Sequence, residues 1–185
     1  MRIFEKEGPI NTKEALDLAI TKAIELNTDI VVATTSGDTA MKTALTARQT
    51  EFKGKIITVT HAYGSRAAGK NAMQEITRQE LKEMNVEVVT AAHVLSGAER
   101  GLSKVHQGIY PIEIMADTLR MISRGVKVCV EISVMANDAG KIKYGKPVVC
   151  IGGSRSGADT VCIITPEYAS NILKTQIHEI VCMPY

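Results

Sequence analysis

Six short apolar runs rich in β-branched residues recur along this chain: Asp29–Thr34, Lys55–Thr60, Val86–Ala91, Lys146–Gly153, Thr160–Thr165 and His178–Pro184. Stretches of helical periodicity lie between most of them. A continuous run such as "DIVVAT" has no polar face to show to water, so it reads as a strand covered on both sides. Strands that alternate with helices connect through right-handed parallel crossovers. This rhythm predicts a three-layer α/β/α domain over residues 1–185, around a mostly parallel sheet of five or six strands. No linker, low-complexity segment or internal repeat interrupts it.

The helical segments carry their own punctuation. Leu16, Ala19, Ile20, Ala23 and Ile24 share one face of a first helix, with Asn11 or Thr12 as its cap and Glu14 placed for a capping box. "TAMKTALTARQ", "KNAMQEITRQELKEM" and "PIEIMADTLRMISRG" follow, the last with a proline near its start and Gly125 as its stop. "PEYASNILKTQ" reads as a further helix with Pro166 in its first turn. "VKVCVEISVMANDAG" is ambiguous: Val126, Val128, Val130, Ile132 and Val134 alternate like a strand, but a parallel crossover requires a helix there, and helix is the reading taken. Residues 93–111 show little periodicity, and so long a connection in a compact domain is usually a lid or binding loop.

Composition removes several classes of function. A net charge of +2 without like-charge runs gives no electrostatic footprint for nucleic acid or an anionic membrane. With no Trp and two Phe there is no base-stacking surface. "MRIFEKEGPIN" lacks the apolar core of a secretion signal, and no apolar stretch reaches membrane-span length, so cytoplasmic residence is the expectation. Cys129, Cys150, Cys162 and Cys182 sit singly in apolar runs and read as reduced core thiols. His61, His93, His106 and His178 are isolated in sequence, without metal-ligand spacing. Scarce charge on several apolar segments leaves room for a homo-oligomer.

The segments that leave strands are where chemistry is expected, because ligands of open α/β sheets bind beyond the carboxyl ends of the strands at a switch in strand order. "TTSGDT" (Thr34–Thr39) suits an anion. Gly37 removes the Cβ that would keep a phosphate from backbone N–H groups, while Thr35, Ser36 and Thr39 offer hydroxyls at a helix N-terminus. Its pattern, [ST]-x-[ST]-G-x-[ST], is similar to the flavodoxin phosphate loop, which needs no cationic side chain. The competing reading is a plain turn in which Ser36 or Asp38 caps the helix, and Asp38 would repel a phosphate placed too close. "GGSRSGADT" adds Gly153, Ser154, Arg155, Ser156 and Gly157, a donor-rich nest with one cation, though it also reads as a hairpin turn. On neighbouring strands the two loops would converge on one pocket. The loop from His61 to Lys70 is weaker: His61, Gly64 and Arg66 are candidate contacts for the same ligand, as is Lys70, and Tyr63 is a candidate to lie against its ring, with a plain solvated loop as the competing reading. In the long segment Arg100, Lys104 and His106 are candidates by position only. His178 reads as an ordinary strand histidine.

"IVVATTSGDTA", "KIITVTHAYG" and "YGKPVVCIGGSRSGADT" together resemble the C-terminal α/β domain of pyruvate kinase, most closely a group of stand-alone archaeal proteins described as pyruvate kinase α/β-domain-like. The likeness runs from about Asn11 to Thr165. It implies a three-layer sheet of five strands with the fifth antiparallel. It also implies that the loop matching Thr35-Ser36-Gly37 binds a phosphate, which in pyruvate kinases belongs to a sugar-phosphate effector. The position after that glycine is often Arg there and is Asp38 here, which argues against a sugar bisphosphate. The catalytic barrel has no counterpart in 185 residues, so pyruvate kinase activity is not expected of this chain alone. The stand-alone group is associated with bound FMN.

Three functions compete: a module that binds FMN or a related phosphorylated ligand, a flavin-dependent oxidoreductase, and a regulatory protein that senses a sugar phosphate. Sequence spacing places neither a nucleophile–base pair nor two neighbouring acids, so no catalytic residue is assigned.

Overall fold

The computed structural model describes residues 1–185. Its strands are β1 (Arg2–Phe4), β2 (Ile30–Ala33), β3 (Ile56–Thr60), β4 (Val86–Thr90), β5 (Val148–Gly152), β6 (Thr160–Thr165) and β7 (Gln176–Pro184). The helices are α1 (Thr12–Glu25), α2 (Asp38–Ala47), α3 (Glu75–Glu83), α4 (Gly97–His106), α5 (Pro111–Ile122) and α6 (Arg124–Asp138), with 3-10 turns at Pro9–Asn11 and Ala169–Lys174. The seven strands form one sheet in the order β1-β7-β6-β5-β2-β3-β4.

The chain runs outward from β2 through β3 to the edge at β4, then returns to place β5 on the other side of β2. Pairings β2–β3, β3–β4 and β2–β5 are parallel, as is β1–β7. Strand β6 is antiparallel to both β5 and β7. The sheet is therefore mixed, and it is wider than the five or six strands expected. The strand absent from the sequence reading is β1, whose three residues pair with Cys182–Pro184. Three residues flanked by charges are too few to show a period.

Two apolar clusters cover the two faces. One, of 22 buried residues, joins the α1 face (Ala15, Leu16, Ala19, Ile20, Ala23) and Ala40, Ala44 and Leu81 to Ile30, Val32, Val149 and Ile151. The other, of 17, joins α6 and Ala116 of α5 to Val31, Ile57, Cys150 and Cys162. Neighbouring strand residues thus alternate between the clusters, and both faces of the central strands are dry. That is why those strands read as continuous apolar runs instead of alternating ones.

Helix α6 resolves the ambiguous segment. Twelve of its fifteen residues are buried, so the helix is covered almost all round and its alternating valines carry no strand information. Ser123 ends α5 and caps α6, its hydroxyl accepting from the Val126 N–H at 3.0 Å. Gly125 is not the helix stop expected of it but lies in the first turn of α6. A Cβ there would run into the Thr160 side chain, and one on Gly152 would lie 2.6 Å from the Gly125 carbonyl oxygen. These glycines let the helix backbone sit directly on β5 and β6.

Other expectations need correction. The connection 93–111 is not a loop throughout: it holds α4, which buries no residue of its own. Helix α3 starts at Glu75, not near Lys70. Residues 169–174 form a 3-10 turn, with Pro166 outside it. The capping box at α1 does not form, because the Asn11 amide donates to the Lys6 carbonyl and Glu14 pairs with Arg2 at 2.8 Å. No helix is long and apolar enough to cross a membrane.

All four cysteines are free and buried. Burial pushes the thiols of Cys129 and Cys150 well above their ordinary range and that of Cys182 up to about 12. A chromogenic disulfide reagent should therefore find no fast-reacting thiol in the native protein and four in denaturant. Rapid native labelling of any of the four would contradict this packing.

Candidate functional site

Where β2 separates its two parallel neighbours β3 and β5, the strand ends open onto a cavity of about 470 Å³. The loop after β2 supplies Thr34, Thr35, Ser36, Asp38 and Thr39 to its wall, and the β5–β6 hairpin supplies Gly153 to Gly157. The two donor-rich loops therefore converge as predicted, and the second is a hairpin as well as a cavity wall. His61 and Arg66 line it from the loop after β3, and His93 from the segment after β4. Helix α6 closes one side with Val128, Glu131, Ile132 and Met135.

The first loop is not capped by a side chain. Gly37 occupies the N-cap of α2 with φ 110°, and neither Ser36 nor Asp38 accepts a bond from the first turn. The Gly37 N–H is taken by Thr34 Oγ1 at 3.0 Å. The first-turn amides of α2 thus have no side-chain acceptor, the electrostatic condition for anion binding at a helix start. The structure gives Gly37 a reason that the sequence does not show. The residue is buried and absent from the cavity wall, and a Cβ there would collide with Cγ2 of Thr77 on α3. Glycine is required here by its left-handed backbone and by the approach of α3.

The second loop is shaped from below by Asp159, which is fully buried. Its Oδ2 accepts from the N–H groups of Ser154 at 3.2 Å and Gly8 at 2.9 Å, and its Oδ1 from the Thr160 hydroxyl at 2.9 Å. Thr12 Oγ1 accepts from the Ala158 N–H at 3.0 Å. The start of α1 and the residues before it thus hold the hairpin in place. Arg155 reaches Glu7 at 3.0 Å and is largely exposed.

Beside the first loop four polar groups come together that the sequence reading either kept apart or passed over. The rings of His61 and His93 stack with centroids 4.9 Å apart. His61 Nε2 lies 3.1 Å from Thr35 Oγ1, which ties it to the first loop. His93 Nδ1 lies 3.5 Å from Glu131 Oε2, and Lys127 Nζ donates to the same oxygen at 2.6 Å. Glu131 Oε1 accepts the Leu95 N–H at 3.1 Å, which fixes the segment carrying His93. The one signal for this group was "VKVCVE": a Lys and a Glu four apart, on one helical face of an otherwise apolar run. Burial lowers the Lys127 pKa, while the Glu131 carboxylate opposes the shift.

Other predicted residues lie elsewhere. Tyr63 is exposed and stands 5.8 Å from the Arg78 guanidinium, so it is not placed against a ring in the cavity. Gly64 and Lys70 do not line the wall, and Arg100, Lys104 and His106 lie exposed on α4. His178 bonds Thr165 Oγ1 at 2.8 Å, as suits a strand histidine.

Two predictions follow from this geometry. Gly37→Ala should destabilise the fold by about 2 kcal/mol or more, because it adds left-handed strain to a collision. Adding Thr77→Ser, which deletes the colliding methyl, should recover part of that loss in a denaturant double-mutant cycle, and no recovery would remove Thr77 as the cause. The second concerns His61, whose pKa is lowered from 6.5 by burial, by His93 and by Arg66. The unfolded chain then takes up the proton more readily, so this residue's contribution is whole above pH 6.5 and is lost on acidification. Melting curves at stepped pH should show His61→Asn losing less stability than wild type between neutral and mildly acidic pH.

Residues 13–164, which run from α1 to β6 and leave out only the first residue of α1 and the last of β6, match the family described as pyruvate kinase, alpha/beta domain. The matched span contains both cavity loops, both stacked histidines and α6, and it covers well over half of the chain. By fold, by the order of its strand-end loops and by this match, the chain belongs to the pyruvate kinase alpha/beta domain family.

Proposed function

We propose that the cavity at the β2/β5 switch binds a small phosphorylated molecule, with FMN the foremost candidate. The observation that carries this reading is the convergence of two loops at one strand switch: the uncapped start of α2 and the Ser154–Gly157 nest. Thr35, Ser36 and Thr39 would hold the phosphate from one side, and Ser154, Arg155 and Ser156 from the other. The volume falls within the roughly 300–1,000 Å³ usual for small-molecule sites.

The rest of the wall suits a flavin. Val128, Ile132 and Met135 of α6, with Val59 and Ala33, offer an apolar surface for a ring system. Thr60 is almost fully buried, lines the same cavity, and its hydroxyl has no partner in the protein. A ring bearing carbonyl groups would supply one. Bound FMN would bring electron-transfer chemistry to the site, while the protein's share is to anchor, orient and exclude water. The stretch of buried, reduced thiols fits a reducing cytoplasm.

The test is spectroscopic. FMN fluorescence should be quenched on titration with the purified protein, and riboflavin should bind about a hundredfold more weakly for want of the phosphate. Thr35→Val and Ser156→Ala should each weaken FMN by about tenfold, the loss of one hydrogen bond to a charged group. Absence of quenching, or equal affinity for riboflavin, would overturn the reading. Thermal stabilisation by a sugar phosphate but not by FMN would point instead to an effector sensor. Reduction of bound FMN by a nicotinamide nucleotide would make the protein an oxidoreductase.

A further inference from the structure

Helices α4 and α5 bury little of their own surface: α4 none of its residues, α5 only Ala116. Polar contacts hold the two together. Glu99 Oε2 accepts from the Ile112 N–H at 3.0 Å, and the Ser103 hydroxyl donates to Glu113 Oε1 at 2.7 Å. Their large apolar side chains stand in water instead: Val105, Ile109 and Met121 are 74%, 84% and 84% exposed, and Leu102, Ile114 and Ile122 about half. Exposed apolar residues scattered singly are ordinary, but six within residues 102–122 form a patch.

The spacing of these residues makes the patch a face. Ala98, Leu102 and Val105 recur at i, i+4 and i+7 on α4, beside the Glu99–Ser103 side that meets α5. Ile114, Thr118 and Met121 repeat that spacing on α5, where Met115, Ala116 and Leu119 take the side that packs on the second apolar cluster. Helix α4 is thus turned about: its polar side meets the protein and its apolar side meets water. A helix solvated in that way forgoes the packing of an apolar face from which helices in proteins draw most of their stability.

We propose that this outer face of the α4–α5 hairpin is where two copies of the chain meet as a two-fold dimer, whatever the cavity binds. Its size fits. The six side chains expose on the order of 700 Å² in each copy, against about 800 Å² per partner for an interface of standard size. Its chemistry fits as well. A two-fold interface brings the same patch against itself, and an apolar face is complementary to its own copy where a charged one repels it. Glu99, Glu113 and Asp117 balance Arg100, Lys104 and Arg120 across the hairpin. It therefore offers no surplus of basic residues to an anionic lipid surface and no net charge to a charged partner. These charges lie off the apolar stripe, Arg120 paired with Asp117, where they would rim the contact. The contact also supplies α4 with the burial that it lacks within one chain.

The test is the mass of the purified full chain by sedimentation equilibrium, over about a hundredfold range of micromolar concentrations. Wild type should run at twice the mass of one chain. Val105→Glu and Met121→Glu each replace an exposed side chain and so spare the fold of the monomer. Each should weaken the dimer by about a hundredfold or more, because its charge would be buried without a partner, and the double variant should be monomeric throughout. Circular dichroism and a cooperative melt check that it is folded; if the glutamates unfold the chain, Val105→Ser with Met121→Ser takes their place in the same measurement. Leu45→Glu, on α2 across the sheet and as exposed as Ile114, should remain a dimer. Monomeric wild type overturns the proposal, and so does a dimer that survives the folded double variant or that Leu45→Glu also dissolves. Wild type that stays monomeric but cosediments with phosphatidylserine vesicles overturns it in favour of a lipid-docking face.

Discussion

Strand β2 has a parallel neighbour on each side, and the chain can reach both only by leaving the sheet in opposite directions. Helices α2 and α3 carry it to one side across one face, and α5 and α6 bring it back across the other. The loops after β2 and β5 must therefore part above the sheet, and the gap between them cannot be filled by either crossover. The cavity is a consequence of this reversal. Its contents are then set by whichever residues happen to end the strands: hydroxyl residues and glycine after β2, a donor-rich hairpin after β5, and histidines after β3 and β4.

Helix α6 bears the cost of making that gap polar at depth. It is almost wholly buried yet carries Lys127, Glu131, Ser133 and Asn137, none of which reaches water freely. Each finds a partner: Lys127 and Glu131 each other, Ser133 the Val130 carbonyl, Asn137 the Pro166 carbonyl. Truncating one member of the ion pair would leave an unpaired buried charge, a penalty of about 3–5 kcal/mol. The helix tolerates this because Gly125 and Gly152 let its backbone press against β5 and β6, and because the two charges pair with each other at 2.6 Å.

Sequence reading was strongest where one period governs a whole element. The apolar runs of β2, β3, β5 and β6 and the two strand-end loops were visible, because double-sided burial and glycine-with-hydroxyl turns leave local marks. It was weakest where tertiary contact decides. Strand β1 exists only because β7 offers it an edge. Helix α4, interrupted by Gly101 and burying nothing, gives a faint pattern. His61 and His93 are far apart in sequence and stack only because β3 and β4 are adjacent and parallel. The steric need for Gly37 leaves no local mark: a glycine before a helix looks the same in sequence whether or not a side chain such as Thr77 on α3 crowds it.

The second loop, proposed above as one wall of an anion site, is built on a carboxylate. Asp159 lies directly beneath it and already occupies the Ser154 N–H, so that amide is spent on structure. The groups left for a ligand are the Ser154 and Ser156 hydroxyls, the amides beyond Ser154, and Arg155, which Glu7 holds at the surface. The carboxylate is itself satisfied by three donors, which spreads its charge over the hairpin and the segment at Gly8. It acts at the site as a clamp more than as a charge. On the opposite wall Asp38 is exposed at the start of α2, where water screens it while the helix dipole favours it. One phosphate facing Arg66 and Arg155 is compatible with this balance, whereas a second phosphate near Asp38 would meet a like charge with no further arginine to offset it. On the proposed reading, the charges at the mouth therefore fit a ligand that carries its phosphate at one end only.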